Sequence, residues 1–182
     1  MNIAIRICFL AAIAALPAPA ELPHAFSYGG KDVAGLAARG RTVADDARRT
    51  KIVHEWTSPD GRLLLRSTET VYKKFPVREY LPELACLGDR PTEIVDGFKT
   101  VSLSRASKGP VLRALRGTVC SDKDFEPVTV AFDAKTPSCS LVATEGRSSA
   151  QWMPWMGVDF PEGDGQEIAV GWSGAWRADA VF

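Results

Sequence analysis

At 182 residues the chain has the length of one domain, or two at the outside. Its 22 basic and 22 acidic side chains cancel, and no basic stripe stands out, so charge supplies no reason to seek nucleic acid. No internal repeat, low-complexity tract or linker interrupts it, and its Pro and Gly residues are spread as turn punctuation.

The chain opens with one basic residue, Arg6, an apolar run from Ile7 to Leu16 and a small-residue segment at Ala18, Pro19 and Ala20. This is the layout of a secretory signal over 1–20, with cleavage expected after Ala20. The apolar run is too short to span a bilayer. Cys8 lacks the small residue ahead of it that a lipoprotein signal carries. The expected product is a soluble exported protein, periplasmic or secreted, made of one domain over 21–182. Losing Arg6 with the first 20 of 182 residues leaves 162 residues, 21 basic and 22 acidic, and a net charge of −1. Cleavage also removes Cys8 and leaves Cys86, Cys120 and Cys139. An oxidising compartment permits a disulfide, but three thiols cannot all pair within one chain. Cys120 with Cys139 closes a modest loop and is the first choice, although spacing alone does not decide pairing.

The rest reads as short extended segments between turn signals, the mark of an all-β sandwich. A helix over Asp32 to Arg49 is argued against by Gly35 and Gly40 and by the lack of a sustained apolar stripe. Lys51 to Trp56 alternates in a strand-like way. The turn Ser58-Pro59-Asp60-Gly61 precedes an expected strand over 62–72. Phe75 to Leu84 is a second, with Pro82 pushing it toward an edge or a bulge. Ile94 to Leu103 suits one face loosely, whereas Val128, Val130 and Phe132 alternate cleanly. Trp152 to Phe160 and Ile168 to Trp172 are apolar enough for core strands, and Ala175 to Phe182 reads as the last.

Chemistry-bearing groups are sparse. His24 lies beside the expected cleavage site, in a terminus expected to be mobile, and His54 in the strand-like stretch; no Gly-x-Ser-x-Gly elbow accompanies them. No Cys/His cluster has zinc-site spacing, and no cofactor or metal is expected. Glycosidases need two carboxylates facing one another across a bond. Asp122 with Asp124, or Asp159 with Glu162, can be imagined in those positions, yet acids this close in sequence usually form solvated turns. The stronger signal is aromatic. Four of five tryptophans, Trp152, Trp155, Trp172 and Trp176, fall within 152–176. Such rings suit the C–H faces of sugars and protein interfaces, and they equally suit a sandwich core.

Several segments resemble those of bacterial α-galactosidase-like enzymes, glycoside hydrolase family thirty-six and its relatives. Gly117 to Pro127 (GTVCSDKDFEP) resembles the family's G-S-T-C-x-x-D-D-F/Y-Q-P segment. Glu145 to Trp176 is similar to its G-G-R-P-T-N-G-A-F-P-Y-F-N-L-E-W-P…A-I-G-W-P-G-Q-W run. Glu55 to Tyr80 resembles its W/Y-T-D-P-x-T-G-L…F-P-A-V-E-W segment, and Phe26 to Asp32 (FSYGGKD) its opening F-x-Y-G-G-K. The order is kept from Phe26 to Trp176. Ser148, Ser149 and Ala150 stand where the family has Pro-Thr-Asn, Trp155 where it has Tyr, and Asp159-Phe160 where it has Glu-Trp.

The resemblance implies an amino-terminal β-sandwich, a supersandwich of the galactose-mutarotase-like kind, ending at Phe182 before such a sandwich is normally complete. It also implies catalytic aspartates in a separate barrel that this sequence does not include. Three readings follow. The first is a non-catalytic accessory sandwich that binds carbohydrate through Trp152, Trp155, Trp172 and Trp176. The second is a module that docks on a separately encoded glycosidase barrel, with Trp152, Met153, Trp155 and Met156 exposed on the docking face. The third, ranked last, is a small glycosidase using its own carboxylates.

Overall fold

A computed structural model of the protein describes residues 7–9, 21–34 and 36–181. Every regular element among them is a β-strand and none is a helix, so the chain is all-β. Of the segment read as a signal, the described part is β1 (Ile7–Phe9), and the remainder lies outside the described residues. Along the main body of the chain, two compact units divide between Arg105 and Ala106.

The first unit carries β2 (Glu21–Leu22), β3 (Ala25–Tyr28), β4 (Lys31–Val33), β5 (Leu36–Ala37), β6 (Arg39–Asp45), β7 (Arg49–Thr57), β8 (Leu63–Tyr72), β9 (Arg78–Cys86) and β10 (Val95–Lys99). The stretch with the discounted helical reading is therefore extended. Strands β9, β8, β7 and β6 lie side by side in antiparallel order, β10-β3-β4 form a second sheet, and β2 pairs with β5. The turn read at 58–61 is present and tightly held. Gly61 adopts φ 72°, Leu63 N–H donates to Ser58 Oγ at 2.9 Å, and Tyr28 O–H donates to Asp60 at 2.9 Å. Pro82, expected to push its strand toward an edge or a bulge, makes no bulge and sits opposite Ser67 in an unbroken register. A proline is tolerated wherever its nitrogen is not one of the ladder's donors. The second expected strand begins later, at Arg78, because Val77 N–H bonds Phe75 O in a turn.

Strand β8 alternates cleanly. Leu63, Leu65, Ser67 and Glu69 all point inward and are buried, as a pleat of period two requires. Its first half is apolar. There Leu63 and Leu65 join Leu22, Phe26, Tyr28 and Leu36 in one core, with Trp56 and Phe98 packed on it. Phe26 stacks on Phe98 at 5.5 Å between centroids and meets Trp56 edge-on at 5.7 Å, geometries that favour aromatic pairs. Burial of this kind stabilises by about 2 kcal/mol per large side chain.

The second unit holds β11 (Val111–Arg116), β12 (Pro127–Ala131), β13 (Ser138–Ala143), β14 (Trp152–Asp159), β15 (Gly165–Ala169) and β16 (Trp176–Val181). One sheet has the order β12-β11-β14-β15, and β13 pairs with β16 in another. Their apolar faces meet in a core of Leu112, Ala114, Phe132, Leu141, Ala143, Met156 and Trp176, the layered arrangement of a sandwich. Two of its strands, β11 and β13, were not among the expected segments. The strand expected over 168–172 starts earlier, at Gly165. The turn after β14, closed by Phe160 N–H to Asp164 O at 2.9 Å, sets Gly165 opposite Asp159. Where β11 ends, Gly117 runs against the segment before β14. A Cβ there would lie 2.1 Å from the Ser149 carbonyl oxygen, so only glycine fits.

His24, expected in a mobile terminus, is buried in the first unit. Its Nδ1 bonds the Thr100 carbonyl, which can only accept, so Nδ1 carries the proton. In the neutral ring Nε2 then accepts from Ser67 O–H at 2.8 Å. The ring stacks near Phe98 and meets Tyr80 edge-on, both at 6.1 Å. Burial lowers its pKa to about 4, against the opposing pull of the Thr100 hydrogen bond and with a smaller push from His54. Between the ordinary value near 6.5 and this one, the unfolded chain takes up a proton that the folded chain refuses. Stability contributed by neutral His24 is complete above pH 6.5 and falls as pH drops toward 4, by about 3 kcal/mol in all. Urea unfolding at pH 7 and pH 4.5 should show this loss in the natural chain and a flatter profile in His24→Gln. Equal slopes for the two proteins would refute the account.

Candidate functional site

The four tryptophans nominated as binding residues do not form one platform. Trp176 is 9% exposed; it belongs to the core of the second unit and donates Nε1–H to Ser148 O at 2.5 Å. Trp152 is partly buried against the same core, and the Arg116 guanidinium lies over its ring at 4.3 Å. Met156 is core as well. Trp172, 36% exposed, lies beyond the end of β15 with its indole close to Gly174. Trp155 alone stands on an open sheet face, 42% exposed. The expected docking set therefore splits: Trp155 faces out, Met156 faces in, and Trp152 and Met153 are half-buried.

Strand parity builds the surface around Trp155. On β14 the residues sharing its face are Met153, Gly157 and Asp159, with Gly157 about 7 Å and Asp159 twice that further along the strand. Register places Arg113 of β11 and Glu167 of β15 on either side of Gly157. Arg113 donates to Asp159 Oδ1 at 2.7 Å and approaches Glu167 Oε1 at 3.8 Å. The Glu167 carboxylate lies across bare backbone, since a Cβ on Gly157 would come within 3.0 Å of it. The result is an exposed indole with one guanidinium and two carboxylates further along the same face, the Glu167 side chain covering Gly157. Such a face can stack an apolar ring surface and exchange hydrogen bonds with groups at its edge. Arg113, Gly157 and Glu167 were not singled out from the sequence. Only cross-strand register, which needs the unrecognised strand β11, brings them together.

The other acids nominated from sequence serve turns and surface bonds. Asp124 accepts from the amides of Val119 at 3.0 Å and Cys120 at 3.1 Å, and the Val119 bond leads in holding its pKa below the usual carboxylate range. Asp122 is exposed in the same loop, and Glu162 accepts from Ser107 O–H at 3.2 Å. The expected Cys120–Cys139 bridge is not formed: Cys86, Cys120 and Cys139 are all free thiols. Cys139 leans on the core of the second unit from β13, where burial raises its pKa. Cys120 is exposed at a loop corner with φ 62°, in the grip of Asp124.

A buried carboxylate with three side-chain donors lies elsewhere, on the inner face of the first unit. Glu69 is buried and accepts from His54 Nε2 at 2.9 Å, from Arg78 Nη1 at 2.5 Å and from Tyr80 O–H at 3.3 Å. Register explains the cluster: Glu69 faces Tyr80, and His54 faces Ser67 on the opposite neighbour. Burial and the Glu69 charge together push Tyr80 up to about 12. Burial is the strongest single influence on Arg78 and lowers it, but the Glu69 charge and the interactions with Tyr80 together outweigh that and raise the guanidinium. A carboxylate orienting a histidine is half of a general-base arrangement. Ser67, the one hydroxyl opposite His54, is fully buried and already spent on His24. The arrangement ties β7, β8 and β9 together, with His54 and Arg78 partly exposed at its edge. Among the described residues no three His, Cys, Asp or Glu side chains are placed to hold a metal.

Removing Arg78 strands most of a buried negative charge. A fully buried pair broken in this way costs about 3–5 kcal/mol; because Arg78 is a quarter exposed, about 2 kcal/mol is expected for Arg78→Met. Denaturant midpoints at pH 7 measure it, and a midpoint within error of the natural chain would show that Glu69 is satisfied without Arg78.

No protein-family model, curated protein or solved structure matches this chain.

Proposed function

We propose that the chain is a non-catalytic accessory β-sandwich of an exported, α-galactosidase-like glycoside hydrolase system, and that it binds carbohydrate on the outer face of the sheet β12-β11-β14-β15. The observation that carries this reading is Trp155. Its indole is exposed on a sheet face while its neighbour Met156 fills the core, and Arg113, Glu167 and Asp159 follow further along the same face. The exposed indole leaves a broad apolar ring surface in solvent with charged groups further along the same face, which is what a stacking surface requires. A sugar ring offers the matching chemistry, with an apolar C–H face for the indole and hydroxyl groups for the charged rim.

Support for binding over hydrolysis comes from the acids. Asp124 is tied to loop amides, Asp159 to Arg113 and Glu69 to three donors deep in the sheet. None of these stands opposite a second acid across an open cleft of the kind that glycosidic cleavage needs.

Titration with methyl α-galactoside through the millimolar range should shift the intrinsic fluorescence of the natural chain. Trp155→Ala, folded by circular dichroism, should lose about 1–2 kcal/mol of that affinity, roughly a 5- to 30-fold weakening. A flat titration of the natural chain would remove the sugar-binding reading and favour docking on a separate glycosidase barrel through the same face. Turnover of a chromogenic α-galactoside by the purified chain would overturn the non-catalytic part.

A further inference from the structure

We infer that Glu167 is the specificity-determining acceptor of the Trp155 face, and that the ligand it selects presents a hydrogen-bond donor, an ammonium above all, so that amino sugars are preferred and uronic acids refused. The inference rests on the sugar-binding reading of that face.

The argument begins with an unpaired atom. Buried polar side chains nearly always have a hydrogen-bond partner, and each exception calls for a cause. Among the described residues one buried side-chain oxygen has none, Glu167 Oε2. Its sister Oε1 fares little better, since the nearest cation, Arg113 Nη2, is 3.8 Å away, too far for a hydrogen bond. Arg113 is committed to Asp159 instead, at 2.7 Å. Glu167 is thus a carboxylate that is 31% exposed and has no donor, lying over the bare backbone of Gly157.

Its position makes the vacancy useful. Gly157 follows Trp155 on the same face of β14 at about 7 Å, and Glu167 is directly across from it in register. A pyranose ring stacked on the indole has about that breadth, so its edge substituents reach Glu167. The outer bond of a glutamate turns easily, because the carboxylate torsion is broad and two-fold. A small rotation brings the covered oxygen out to a donor. Charge then sets the preference. One guanidinium faces two carboxylates, leaving a net charge of −1 at the rim. That balance attracts an ammonium, accepts a hydroxyl and repels a second carboxylate.

Three probes test it on the full chain, by fluorescence titration supported by saturation-transfer NMR: methyl galactoside, the methyl glycoside of galactosamine with its amine protonated, and methyl galacturonide. The expected order of affinity is galactosamine, galactoside, galacturonide, with about a tenfold step between the first two. Glu167→Gln, which keeps the shape and removes the charge, should bring galactosamine and galactoside to within about twofold of each other and improve the galacturonide. Trp155→Ala should weaken all three alike. If the natural chain binds galacturonide as well as galactosamine, or if Glu167→Gln leaves the order unchanged, the assignment of Glu167 is overturned while a Trp155-dependent response to galactoside still stands. Silence of the natural chain toward all three probes overturns the assignment together with the sugar-binding reading.

Discussion

The register of β14 between β11 and β15 decides what the second unit is. Because side chains alternate about a strand, a slip of one residue would exchange Met156 for Trp155 and Val158 for Gly157. The core would then contain an indole it has no room for, and the surface would offer a thioether in place of a ring. Two features hold the register against that slip. The turn closed between Phe160 and Asp164 fixes where β15 starts, and Met156 packs with Leu112 and Ala114 of β11 beneath Trp176 and Leu141 of the facing layer. The exposure of Trp155 is thus a consequence of core packing on the far side of the same strand.

The first unit solves a different problem. Its inner sheet face passes from Leu63 and Leu65 to Ser67 and Glu69 without leaving the interior, so half of what it buries is polar. Burying a carboxylate is tolerable only with charge-assisted partners, and Glu69 has three. Aromatic packing of Phe26, Phe98 and Trp56 supplies the stabilisation on one side, and the hydrogen-bonded cluster supplies directionality on the other. The same contrast explains why a histidine and a serine lying close together are structural here: both are sealed from solvent and each satisfies the other.

Much of the fold was legible because strand chemistry is local. The turn at 58–61, the alternation of Val128, Val130 and Phe132, and the apolar run after Trp152 all announce themselves within a few residues. What escaped was non-local. Strand β11 carries Arg113 and Arg116 among short apolar residues and β13 mixes Ser and Cys into its pattern, so neither stands out until neighbours pair with them. The tryptophans are close in sequence, whereas strand parity and the loop after β15 send them to different environments. Arg113 and Glu167, the polar half of the candidate site, share no local pattern with Trp155, and only the ladder sets them side by side. Buried His24 was misplaced for the same reason, since its partners Ser67 and Thr100 are distant in the chain.

The contact at Gly117 has a consequence for how this molecule can vary over time. With a carbonyl oxygen where a β-carbon would have to go, all nineteen alternatives to glycine are excluded at once, whatever their polarity or size. Repair by a second change is equally closed off, because the obstructing atom is main chain, and no codon swap at Ser149 can delete it. Thr118, the next residue, already spends its amide on that same oxygen at 2.7 Å, so the crossing cannot open without breaking the bond. Any sequence that keeps this crossing is therefore bound to glycine there, and a substitution must be met by moving the main chain itself.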